Sequence, residues 1–175
     1  MITLQYAFWI LILLFAIIGA MRGWAKELLV TFAVIVGLFI IAIMQRFAPE
    51  ALRVFLLGTG KIQFWINTLI ILFLAMFGYQ TPNLARIPQG RFVREKFSDA
   101  LLGFFIGALN GYLILGSIWY FMDLANYPFA PNITAPPTDL AILNWLPPEL
   151  LIANNSPVIY FAVAISFIFV LVVFI

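Results

Sequence analysis

Neither cysteine nor histidine occurs anywhere in the 175 residues. Their absence excludes disulfides, thiolate nucleophiles, Cys/His zinc sites, iron–sulfur clusters and haem or chlorophyll ligation by His. It also removes the commonest general base. Seven carboxylates, nine Lys/Arg and six tyrosines remain for acid–base chemistry. Charge is scarce as well. Only 9% of residues are charged and 65% are hydrophobic, against roughly a quarter charged in soluble domains. A soluble protein of this size could not cover its surface with so few charges. Cytosolic enzyme, nucleic-acid binder and disordered linker are therefore excluded together. A net charge of +2 is also too weak for a nucleic-acid partner. The length suits one domain, and the chain reads as an integral membrane protein whose solvent is the lipid bilayer.

A helix crosses the bilayer core with about 20 mostly apolar residues. Five segments approach this: about Ile2 to Met21, Leu28 to Met44, Ile62 to Tyr79, Ala100 to Met122 and Pro157 to Ile175. No run of about 10 residues alternates in polarity as a barrel strand would. The expected fold class is an all-α polytopic membrane protein of five transmembrane helices, with short interfacial helices in its loops. The first segment has no basic residues before its apolar stretch, so it does not read as a secretory signal peptide.

Basic residues orient such a chain. Arg22 and Lys26 follow the first span, and Arg86, Arg91, Arg94 and Lys96 follow the third. Only Arg46, Arg53 and Lys61 follow the second, and none follows the fourth, where Asp123, Asp139 and Glu149 lie. The bias predicts an external amino terminus and a cytoplasmic carboxyl terminus. Within the loops, Pro49 to Leu57 reads as a short interfacial helix that Gly58 ends. Gly90 to Phe97 sets Arg91, Arg94 and Lys96 among Phe92, Val93 and Phe97, a basic amphipathic piece suited to an anionic leaflet. Ser98 then reads as the N-cap of the fourth span, with Asp99 in its first turn. The loop 123–156 carries six prolines. It is either a proline-rich spacer or a surface with short helices from Thr138-Asp139 to Trp145 and from Pro148 to about Ala153, lying on the outer interface.

One internal echo recurs. Gly19-Ala20-Met21-Arg22-Gly23-Trp24 parallels Gly107-Ala108-Leu109-Asn110-Gly111-Tyr112, and Gly103 extends the second copy upstream. Small residues every four positions let helix backbones approach closely in lipid. Packing between the copies or across a dimer is the favoured reading; a broken helix lining a site is the other. Arg22, Lys26 and Glu27 form a charged turn, read either as a snorkelling anchor with local pairing or as a membrane-surface interaction site. All charges map to loops or span ends, which argues against a proton-coupled transporter or a charge-ringed channel. The polar residues within spans are Gln5, Thr31, Asn67, Thr68, Asn110, Ser117 and Ser166. Asn67 and Asn110 are candidates for a bond across helices. The many aromatics suit interfacial belts and lipid contact.

The segment Gly19 to Phe32 resembles the opening signature of the colicin V production protein (CvpA) family, carried here by Arg22, Gly23, Trp24, Lys26 and Glu27. Ser98-Asp99-Ala100-Leu101-Leu102-Gly103, then Gly107-Ala108-Leu109, Gly111 and Phe121-Met122-Asp123, resemble the family's helix after the basic loop. The resemblance covers about residues 4–125. Relatives often carry Arg where this chain has Asn110, and they usually have four spans without the proline-rich loop and the helix at 157–175. The resemblance implies a bacterial inner-membrane protein linked to colicin V production or export and envelope homeostasis, with no catalytic activity and no cofactor. An accessory or scaffold subunit of a larger membrane complex is the alternative, with other membrane subunits or further copies of the chain as partners. A small channel is the third reading. The resulting candidates are the packing glycines Gly19, Gly23, Gly103, Gly107 and Gly111, the membrane-surface set Arg22, Lys26, Glu27 and Asp99, and the interfacial cations Arg91, Arg94 and Lys96.

Overall fold

The structure, a computed structural model, describes residues 4–47, 60–80, 93–130, 133, 141–152 and 157–174. Every regular element among them is helical. α1 runs Leu4–Arg22, α2 Trp24–Phe47, α3 Lys61–Tyr79 and α4 Val93–Leu124. A 3-10 turn follows at Ala141–Trp145, then α5 at Pro147–Leu151 and α6 at Val158–Phe174. Lipid offers the backbone no hydrogen-bond partner, and a helix satisfies its groups internally. The chain is an all-α polytopic membrane protein.

Among the described residues, four helices are long and apolar enough to cross a bilayer: α1, α2, α3 and the stretch Lys96–Leu124 of α4. α6 has 17 residues. It rises about 25 Å against a hydrocarbon core of about 30 Å, the short limit for a span. The fourth helix begins at Val93, so Ser98 lies inside α4 and not at its N-cap. Arg94, Glu95 and Lys96 are good helix formers, and no Gly or Pro interrupts the run from Val93 to Leu102, so the helix extends into the basic stretch. The helix expected at Pro49–Leu57 lies outside the described residues, as do Thr138 and Asp139.

α1 and α4 are antiparallel and meet along glycine. A Cβ added at Gly19 would run into the Gly103 carbonyl oxygen and lie 2.7 Å from Gly107 Cα. Further along, Gly111 lies against Phe15 and Ile12, and the Phe8 and Trp119 rings meet edge to face at 5.2 Å. α2 and α3 repeat the device at Gly78, where a Cβ would be 2.7 Å from Val30 Cα, and more loosely at Gly37 against Ile71. Val30, Val34, Leu38, Ile41, Ile71, Ile114 and Phe121 fill the interior between these pairs.

α6 is attached differently. It packs on α2 through Tyr160 on Phe39 and Phe167 on Phe32. Its only fully buried apolar side chain among those described is Ile159. Beyond α4 the chain turns through Asn126 and Tyr127, both left-handed at φ 54° and 51°. The Trp119 indole donates to the Tyr127 hydroxyl at 3.2 Å, and burial pushes that phenol up to about 12.

Candidate functional site

The site begins with a break in the helix. Gly23 sits between α1 and α2 at φ +86°, a conformation that costs an L side chain but not glycine. Its N–H still reaches the Gly19 carbonyl at 2.9 Å. Gly23 has no side chain to cap α2, and the cap comes from α4 instead. Asp99 Oδ1 accepts from the Trp24 N–H at 3.2 Å, and a Cβ on Gly23 would lie 2.7 Å from Asp99 Oδ2. A carboxylate at a helix N-terminus also meets the favourable end of its dipole. Asp99 was expected in the first turn of its own helix; its acid–dipole contact is made with α2.

One turn further in, Glu27 is fully buried. The local pairing expected of the charged turn is present, and it is made inside the protein because α2 turns this side of its first turn towards α4. Both carboxylate oxygens are taken. Oε1 accepts from Arg22 Nη1 at 2.5 Å, and Oε2 accepts from Asn110 Nδ2 at 2.8 Å. Asn110 Nδ2 also donates to the Glu27 carbonyl at 2.9 Å. With two acceptors facing it, this end of the amide must be the NH2. Asn110 Oδ1 then accepts from the Thr31 hydroxyl at 2.6 Å. Thr31 lies one turn after Glu27 on α2, and the Glu27 carbonyl 3.1 Å away competes for the same hydroxyl proton.

Arg22 also closes the end of α3. The last carbonyls of a helix have no intrahelical donor, and Arg22 Nη2 donates to the Tyr79 carbonyl at 3.2 Å. Its guanidinium lies 4.4 Å from the centroid of the Tyr79 ring, a cation–π distance. Arg22, Glu27, Tyr79 and Asn110 therefore tie α1, α2, α3 and α4 together at one end of the bundle.

The structure brings Gly19, Gly103, Gly107 and Gly111 into the α1–α4 contact, and Gly23 into the turn under Asp99. It brings Arg22 to Glu27. Lys26 is exposed, and so is Lys96 near the start of α4. Arg94 falls in the first turn of α4, and Arg91 lies outside the described residues. Asn67 and Asn110 do not meet: Asn110 is committed to α2, while Asn67 Nδ2 has no partner among the described residues. Thr31 and Tyr79 belong to the site too, although their sequence context marks them only as a minor polar residue and a belt aromatic. The available signal was the spacing of Glu27 and Thr31, four apart on one helix face.

Chemically the arrangement is a closed ion pair. Glu27 is fully buried and each of its oxygens already accepts a hydrogen bond, and among the described residues no group of three His, Cys, Asp or Glu side chains could hold a metal ion. The family model described as colicin V production protein matches residues 4–138. No curated protein matches the chain, and no solved structure does.

Proposed function

The chain belongs to the colicin V production protein family, and from that premise we propose a non-enzymatic bacterial inner-membrane protein that supports toxin production or export and envelope homeostasis. The observation that carries this reading is the burial and pairing of Glu27. A buried carboxylate with both oxygens hydrogen-bonded supports a structural part for Glu27, as a tie between four helices. The part played is that of a rigid membrane element, with Arg22 and Lys26 on the cytoplasmic side and the amino terminus outside.

A second reading has an observation of its own. α6 leaves Phe161, Ile165, Phe167 and Ile168 exposed along its length, which suits docking against another membrane subunit. The test starts from a strain lacking the gene. The intact chain is expected to restore toxin output and envelope tightness. A folded variant with Glu27→Gln and Asn110→Leu is expected to restore neither. Full restoration by that variant would remove the tie from the function. Extraction in mild detergent separates the two readings: this chain alone supports autonomous action, and other subunits in fixed ratio support the accessory role.

A further inference from the structure

Residues 141–152 do not stay at the end of the bundle. α1 provides a ruler for depth. Leu4 to Met21 carry no charge before Arg22, a rise of about 27 Å that matches the hydrocarbon core. The antiparallel pairing of Gly19 with Gly103 and Gly107, and of Phe8 with Trp119, sets Leu4 level with about Asp123 of α4. The segment meets α4 well below that level. The Pro147 ring packs on Gly116, where a Cβ would lie 2.6 Å from Pro147 Cδ. Deeper still, the Tyr112 hydroxyl donates to the Trp145 carbonyl. Gly116 and Tyr112 lie seven and eleven residues from Asp123, or about 10 and 16 Å along the helix.

We infer that residues 141–152 are a re-entrant element, seated in the half of the bilayer that adjoins the α1 N-terminus, and that Trp145 and Leu150 are its contacts with lipid acyl chains. Non-helical backbone survives at that depth only if its polar groups are satisfied within protein. Around the start of α5 the chain meets this condition; the half-buried Glu149 carboxylate is hydrogen-bonded to Tyr120 near the outer end of α4, and Asn144 is the exposed polar side chain of the segment. Pro147 and Pro148 have no N–H, which removes two donors where α5 starts and where helical N–H groups are normally orphaned. The Leu146 N–H bonds the Leu143 carbonyl, and the Leu150 N–H bonds the Leu146 carbonyl. Tyr112 supplies the donor for the carbonyl at the turn. Leu146, Pro147 and Pro148 are fully buried against the bundle, whereas Trp145 is 66% and Leu150 42% exposed. At membrane depth, that exposure is to hydrocarbon.

The native chain has no cysteine, so single-cysteine variants test this directly. W145C is compared with A130C, an exposed position in the turn after α4. A membrane-impermeant maleimide, applied from either side, is expected to modify W145C at least about tenfold more slowly than A130C, because the thiol lies in hydrocarbon. A nitroxide at position 145 is expected to collide with oxygen and not with an aqueous nickel chelate. Equal maleimide rates would put the segment at the aqueous surface and overturn the inference. A nitroxide shielded from both quenchers would overturn the acyl-chain contact. Y112C/W145C joined by a short bis-thiosulfonate verifies that the segment still packs on α4; L150C repeats the test if W145C does not fold.

Discussion

α4 and α6 border the same bundle but are held by different physics. α4 meets α1 backbone to backbone along Gly19, Gly103, Gly107 and Gly111, and its Asn110 and Asp99 bond into α2. α6 meets α2 through aromatic side chains, above a crevice of about 260 Å³ lined by Leu28, Thr31, Phe32, Ile35, Ala162, Ile165, Ser166 and Phe169. In lipid, apolar surface gains nothing merely by leaving the solvent, since acyl chains are as apolar as leucine. Helices stay together through close packing and interhelical hydrogen bonds. α4 has both, whereas the α2–α6 contact lacks the glycine seam and is open in part. The difference teaches that hydropathy reports which segments enter the membrane, and small or polar residues report which ones are fixed there.

The seam is the place to break that contrast most severely. Gly107→Leu would put a branched side chain where a single Cβ already lies 2.9 Å from Gly19 Cα. Backbone cannot give way as a flexible side chain does. The expected cost is about 3 kcal/mol or more, at the upper end of overpacking effects. It would be read as loss of monodisperse protein and of a cooperative thermal transition in detergent. A variant with wild-type stability would mean that α1 and α4 do not meet at glycine.

Breaking the ion pair of Arg22 and Glu27 comes next in severity. Arg22→Ala leaves the buried Glu27 carboxylate with Asn110 but without its cation, and removes the donor at the Tyr79 carbonyl. Truncating one partner of a buried ion pair costs about 3–5 kcal/mol, and the partial exposure of Arg22 places this variant towards the lower figure. Arg22→Met with Glu27→Leu removes both charges in similar volume, and is expected to be clearly more stable than Arg22→Ala alone. A double-mutant cycle of Arg22→Met, Glu27→Leu and the two combined, read by thermal unfolding, measures the coupling. A coupling near zero would mean that the pair does not hold the helices.

These two features were unequally legible in the sequence. The glycine echo could be read because a four-residue spacing of small residues favours one structural use in lipid, close approach. The helices themselves were legible from apolar run length. The tie was only half legible. Arg22 and Glu27 lie five apart across a turn, so their pairing was local. Asn110 and Tyr79 reach the same point from distant helices, and one sequence holds no record of which helix face meets which. Ser98 read as a cap because Ser with Asp behind it is a common helix start, yet nothing before it in Arg94, Glu95, Lys96 and Phe97 stops a helix. Asp99 carries the capping chemistry that this pattern suggested, spent on a neighbouring helix across 75 residues of sequence. The depth of Trp145 was not legible at all, since it depends on the register between α1 and α4.

The weakest expected effect sharpens the contrast most finely. Ala162 lines the α2–α6 crevice and is half-buried. Ala162→Leu adds three carbons, one fewer than Gly107→Leu adds at the seam. At the seam those carbons have nowhere to go. In the crevice they occupy space that acyl chains otherwise enter, and they gain contacts with Ile35 or Phe169. Exchanging lipid contacts for protein contacts changes dispersion only modestly, so the expected stabilisation is at most about 1 kcal/mol, roughly one buried methylene. Thermal unfolding in lipid nanodiscs is the suitable measurement, because detergent fills the crevice differently. A rise or no change in the midpoint would keep α6 as a loosely seated helix beside a fixed four-helix unit. A fall comparable with that of Gly107→Leu would mean that the crevice is closed in the bilayer and that α6 is fixed as tightly as α4.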